Sequence, residues 1–264
     1  GITTSFVYPH FTTMSSKGKL LFYGYNQIRN KIDIFNLDDE AFIGTIQLTK
    51  EGPDGTPNVR GIEVISPDSI LVLGNYKLSL VNSSGKVFDY FHINSSKTEL
   101  TNHNSEIAWF WADDNFRIHF DHSRQTLYGL NHSMRYGQYE PKRFETTNTL
   151  AGINISDNTF SELPIPYSDI YKEGVSRGFL DFINTSFSDN MLYYNFSADP
   201  NIYTYNLLTN EKKVFGGESK ITSNSVAAIP WSRCRDVDAK LKHYKNEVQF
   251  GRVLVDKRKG LFYR

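Results

Sequence analysis

Two turn signatures alternate strictly along this chain, and together they leave it few folds to adopt. One is an apolar run closed by an asparagine: IDIFNLDDEAF at 32–42, LSLVNSSGKVF at 78–88, LAGINISDNTF at 150–160 and IYTYNLLTNEK at 202–212. Its asparagines are Asn36, Asn82, Asn154 and Asn206. The other is a polar turn that launches an apolar strand: SKGKLLFYGY at 16–25, SPDSILVLGN at 66–75, HSRQTLYGLN at 122–131, FSDNMLYYNF at 187–196 and KRKGLFYR at 257–264. The launches fall near Leu20, Ile70, Leu127, Met191 and Leu261. Two interleaved turn types repeating about every 50 residues or more mark four-stranded antiparallel blades, hence an all-β chain forming a β-propeller. A two-sheet sandwich is the alternative, since it also gives short strands at regular spacing.

Composition narrows the function classes. Aromatic residues make up 14% of the chain, with abundant Asn, Ser and Thr, which is strand and turn chemistry. Lys plus Arg and Asp plus Glu both number 29, so the balanced charge gives no electrostatic footprint for nucleic acid or an anionic membrane. Cys234 is the sole cysteine, which excludes an intrachain disulfide and a cysteine-based metal cluster. No apolar run reaches the roughly 18 residues of a membrane span. The chain opens Gly-Ile-Thr-Thr, and Gly1 reads as a processing or cloning scar.

One propeller domain is expected over residues 1–264, with blade starts near 20, 70, 127, 191 and 261. The last of these stops at Arg264, before its asparagine turn. Ser5–Phe11 offers one closing strand, too few to complete a blade, so a six-bladed parent with the last part of its ring missing here is expected.

Strand parity says where function belongs. Both tight signatures join the first strand to the second or the third to the fourth, at one end of a blade. Added length falls at the other end, at about 131–146, 89–115 and 216–250. Long loops on a rigid scaffold are where binding residues usually sit. The expected ligand-binding residues are therefore Trp109, Trp111, Asp113, Arg135, Tyr136, Tyr139, Trp231 and Arg233, aromatic platforms beside charged forks that suit sugars, peptides or small anions. For Trp109 and Trp111 the competing role is packing between blades, and for Arg233 it is pairing with Asp236 or Asp238.

Catalytic chemistry finds little purchase. No G-x-S-x-G, H-E-x-x-H or phosphate-binding loop is present. No metal site or cofactor is expected. The nearest approach to ligands is His119 and Asp121, which share a strand face, with Glu63, Asp121 and Asp181 on innermost strands as scattered calcium-type oxygens.

The run Glu51-Gly52-Pro53, Ile62-Glu63-Val64, Asp68 to Leu73 and Val81 to Val87 resembles a blade of the six-bladed NHL-like or TolB-like propellers. With Ile32–Leu37 and Leu254–Arg264, it resembles more narrowly an uncharacterised group of Bacteroidetes cell-envelope lipoproteins. That resemblance implies export and a lipid-anchored N-terminal cysteine that this chain lacks, with about one more blade beyond Arg264. It supplies no catalytic residues. The expected function is a non-enzymatic binding module of the cell envelope, presenting its insert-rich face to a protein, peptide or glycan. The alternatives are a metal-dependent hydrolase or lactonase at the channel mouth and a scaffold that joins an envelope complex through its outer strands.

Overall fold

The structure, a computed structural model, describes residues 8–52, 54–94, 108–112, 116–133, 136–137, 139–256 and 258–264. Its sheets are antiparallel meanders in which each strand pairs with the next in sequence. The first contains β1 (His10–Ser16), β2 (Lys19–Asn26), β3 (Lys31–Asn36) and β4 (Ala41–Gln47). The second contains β5 (Gly61–Ser66), β6 (Ser69–Leu73), β7 (Leu78–Val81) and β8 (Val87–Phe91). After β9 (Ala108–Trp111), the third contains β10 (His119–Asp121), β11 (Thr126–Ser133), β12 (Leu150–Asn154) and β13 (Thr159–Glu162), with β9 also pairing with β11. Helix α1 (Lys142–Thr146) interrupts the connection between β11 and β12. The fourth meander contains β14 (Ile183–Ser188), β15 (Met191–Phe196), β16 (Ile202–Asn206) and β17 (Lys212–Phe215). Helix α2 (Val237–Asn246) and the hairpin of β18 (Leu254–Asp256) and β19 (Leu261–Tyr263) follow.

The turn signatures close as their residues dictate. Asn36 Oδ1 accepts from the Asp38 and Asp39 amides, Asn154 Oδ1 from Ser156 and Asp157, and Asn206 Oδ1 from Leu208 and Thr209. Each of these turns then passes through a left-handed residue, Glu40, Asn158 or Asn210. In the second sheet Asn82 Oδ1 accepts from Ser84 and Lys86, and Gly85 takes the left-handed position at φ +84°. The launch turns use the same device through Asp121, whose Oδ1 accepts from Ser123 and Arg124, and Asp256, whose Oδ1 accepts from Arg258 and Lys259. These side chains replace lost ladder bonds locally, and neighbouring turns brace one another, as where Ser83 donates to Asp68 and Asn154 to the Arg124 carbonyl.

One difference from the sequence reading follows. Each sheet begins a strand before its launch point, at His10, Gly61, His119, Ile183 or Leu254, because the launch is the first-to-second turn. His10 and Phe11 therefore belong to β1, paired with Tyr25 and Gly24 of β2, while residues 1–7 lie outside the described residues.

The chain divides into two compact units, Gly1–His132 with Leu150–Leu163, and Ser133–Thr149 with Pro164–Arg264. In the first unit the second sheet is apolar on both faces. Ile70 and Val72 of β6 pack with Tyr23, Ile32 and Ile46 of the first sheet, whereas Leu71 and Leu73 pack with Phe110, Leu127 and Ile153 of the third. Burial on both sides explains why β6 reads as a continuous apolar run, each such side chain contributing roughly 1.5–3 kcal/mol of gross stabilisation. In the second unit, Asn184 and Asn195 both donate to the Phe250 carbonyl, and Ser186 donates to that of Val253, tying β14 and β15 to the segment before β18.

Candidate functional site

The loop ends of the sheets contrast with the tight turns. In the first unit the β6–β7 loop doubles back at Gly74, whose amide bonds the Lys77 carbonyl at 2.9 Å. Together with the stretch before β5 it encloses a cavity of about 270 Å³. Pro57, Val72 and Tyr76 give its apolar wall, and Asn58, Asn75 and Ser79 lie among its polar lining. Arg60 fixes this wall from behind, donating from Nε to Asn75 Oδ1 at 2.9 Å while its guanidinium lies 5.2 Å from the Trp111 ring centre.

One polar atom of the cavity lining and one on the tryptophan that meets Tyr76 are unsatisfied. The Ser79 hydroxyl, on a residue 1% exposed, and the Trp109 indole Nε1 are buried without a hydrogen-bond partner among the described residues. A buried unpaired donor costs about 1–3 kcal/mol. Tyr76, by contrast, is 80% exposed, and its ring meets Trp109 edge-on at 6.5 Å. Strand alternation in β9 explains the tryptophans: Ala108 and Phe110 are buried, whereas Trp109 and Trp111 are half-buried on the other face, Trp109 still packing against the core.

In the second unit the long β11–β12 connection and the segment before β18 supply aromatic and cationic groups. Phe144, buried on α1, is stacked on Tyr171 at 5.7 Å and meets Tyr167 and Trp231 edge-on. Arg143 donates to the Tyr167 hydroxyl at 2.8 Å and lies 3.7 Å from the Asp181 carboxylate. Tyr139 is flanked by two cations, Arg235 and Lys240, each 5.3 Å from its ring centre. Arg233 instead forms an exposed ion pair with Asp236 at 2.8 Å. Tyr136 is partly buried, and Asp113 and Arg135 lie outside the described residues.

The residues weighed for metal binding are engaged otherwise. Asp121 caps its own turn and pairs with Arg124, and despite the opposing effect of burial those bonds hold its carboxyl below the usual range. Desolvation pushes Glu63 on β5 up to about 7, against hydrogen bonds from Thr12 and the Phe120 backbone and the charge of Arg117. Desolvation also pushes His119 down to about 4, with Asp121 opposing and His122 assisting. Asp181 faces Arg143. Among the described residues no three of His, Cys, Asp and Glu converge on one point.

Sequence reasoning named Trp109, Trp111, Tyr139 and Trp231 and did not single out Tyr76, Ser79 or Lys240, which the structure places beside them or in the cavity wall. Tyr76 stands in Gly74-Asn75-Tyr76-Lys77, a short loop between two apolar runs, where an aromatic residue has no reason to be buried. That signal was available. Ser79 and Lys240 are recognisable only once their neighbours are placed.

Meander sheets of this kind, with local turns at one end and longer connections at the other, define a β-propeller-like protein. The sequence pattern of the family described as Domain of unknown function (DUF4221) matches residues 4–264, and the chain belongs to that family. A crystal structure of a DUF4221 member from Bacteroides vulgatus is similar at a TM-score of 0.80 and 17% identity, covering 100% of this chain and 72% of that one. More distant likenesses are U3-55K, at a TM-score of 0.44, 10% identity and 86% and 55% coverage, and the extracellular domain of BT4673 from B. thetaiotaomicron, at 0.43, 12% and 81% and 25%. No curated protein matches the chain in sequence.

Proposed function

We propose that this protein is a non-enzymatic binding module of the bacterial cell envelope, which holds part of a protein, peptide or glycan partner at the loop end of its second sheet. The observation that carries the reading is the cavity beside Tyr76, where an exposed ring borders a buried, unpartnered Ser79 hydroxyl. Exposed aromatic residues beside a concave wall are typical anchors, and a hydroxyl with no internal partner is a group that an occupant can satisfy. The envelope location and a six-bladed parent rest on the resemblance to Bacteroidetes lipoproteins. Glycan and peptide arrays probed with the wild type and with Tyr76→Ala/Trp109→Ala test the binding reading. Hits that the double variant loses support it; hits retained at full strength place binding elsewhere. Fractionation of the native bacterium tests the location.

A scaffold role has its own support. The outer strands expose Phe42 and Ile43 on β4, Phe88 and Tyr90 on β8, and Val214 on β17, at 44–60% exposure. Edge strands with apolar side chains invite pairing unless they are covered. Sedimentation at rising concentration tests this: self-association that Phe42→Lys/Phe88→Lys abolishes supports a scaffold, and a monomer throughout argues against self-assembly through these edges.

A further inference from the structure

We propose that Lys240 and Arg235, set around Tyr139, form a site for an oxyanion group: a carboxylate, sulfate or phosphate carried by a ligand. This goes beyond the binding role proposed for the second sheet and lies entirely within the second unit.

Several cations of the second unit are neutralised internally. Arg177 pairs with Glu173 and donates to the Val226 and Ile170 carbonyls. Arg143 faces Asp181, and Arg233 takes Asp236. The other Asp236 oxygen caps α2 by accepting from the Ala239 amide at 2.9 Å. Arg235 and Lys240, which enter none of these pairs, both lie against the Tyr139 ring.

Lys240 is the more informative of the two. The residue is only 8% exposed, and none of the ion pairs among the described residues includes its ammonium. It rests 4.2 Å from the Phe179 ring centre and 5.3 Å from that of Tyr139. Lysine stems commonly bury themselves while the charged head reaches water. Aromatic faces attract that charge without neutralising it, so the three donors of the ammonium stay available. Arg235 is exposed over Tyr139 and adds a planar fork suited to oxyanions. Lys240 lies in the first turn of α2, where the helix dipole is positive, while Asp238 on the same turn is exposed and opposes it. The result is a lysine held against two aromatic walls, with a second cation beside it and no ion-pair partner among the described residues.

The experiment is amide and tyrosine-ring NMR titration of the whole chain with sodium phosphate, sulfate and acetate separately, at constant ionic strength. The expected result is saturable shifts at Tyr139, Phe179 and Lys240 for at least one anion. Lys240→Met, which keeps the stem, should weaken binding at least about tenfold, a loss typical of removing one charged partner. Arg235→Gln should weaken it several-fold, and Arg233→Gln, which removes an already paired cation, should leave it unchanged. The ranking of the three anions shows which oxyanion the site prefers. Absence of saturable shifts at Tyr139 with every anion overturns the proposal, as does equal affinity in Lys240→Met and wild type. If Lys240→Met does not fold, equal affinity in Arg235→Gln and Arg233→Gln overturns it.

Discussion

The two ends of the second sheet are built on opposite principles. At the turn end, Asn82 serves the Ser84 and Lys86 amides, Asp68 accepts from Ser83, and Gly85 supplies the left-handed corner. At the loop end, a cavity opens beside an exposed tyrosine, and the Ser79 hydroxyl and Trp109 indole are buried without partners among the described residues. Every local choice at the turn end agrees with the fold, whereas the loop end breaks the rule that buried polar groups are satisfied. Sites where that agreement fails are where function is expected.

This comparison can be broken at the turn end first. A Cβ on Gly85 would lie 1.9 Å from the Gln47 carbonyl oxygen, at a φ that side chains resist. Gly85→Ala should cost about 3 kcal/mol or more in urea unfolding, since backbone must move to accept it. A loss below about 1 kcal/mol would mean that the turn is not locked.

Strand-borne Glu63 tests whether unsatisfied polarity is confined to the loops. Its pKa, raised to about 7 by desolvation, means that the native state holds a proton the unfolded chain releases near 4.5. That contribution is complete below pH 4.5 and is lost as the pH rises to about 7, on the order of 3 kcal/mol in all. His119, depressed to about 4, works in the opposite sense: its stabilisation is present above 6.5 and is lost as the pH falls towards 4. The two slopes oppose each other where they overlap. Glu63→Gln should therefore expose His119 alone, so that stability rises with pH from 4 to 6.5; an unchanged stability–pH curve would refute the assignment.

A milder change sharpens the contrast. Asn154→Ala removes an acceptor for Ser156 and Asp157 and a donor to the Arg124 carbonyl, and should cost about 1–2 kcal/mol. Tyr76→Ala, at the loop end, should change stability by less than about 0.5 kcal/mol, because its ring is mostly in water. Chemical denaturation of both variants measures the difference directly.

What the sequence made legible follows the same division. The asparagine and launch turns could be read because their geometry is decided largely within a few residues, whereas the 89–115 insert overlaps the end of β8 and holds strand β9. The first strand of each sheet was harder to see. β10 is only His119–Asp121, and its burial comes from neighbouring sheets rather than from its own periodicity. Helix α2 went unseen inside the 216–250 insert, where polar residues on several faces hide the helical repeat. Tyr139 was identifiable as an aromatic residue in a long connection, whereas Trp109, expected in an insert, lies on strand β9. The Ser79 hydroxyl and the Lys240 ammonium were not identifiable, because only tertiary packing shows whether a polar group has found a partner.

The most direct test of the account is hydrogen–deuterium exchange on the protein alone and with the tightest array hit bound. The account predicts protection concentrated at residues 56–60 and 74–79, with the turns at 37–40, 82–86 and 155–158 unchanged. Protection at those turns, or along β4, β8 and β17 instead, would contradict it and move recognition to the end or edge of the sheets that appears here as scaffold.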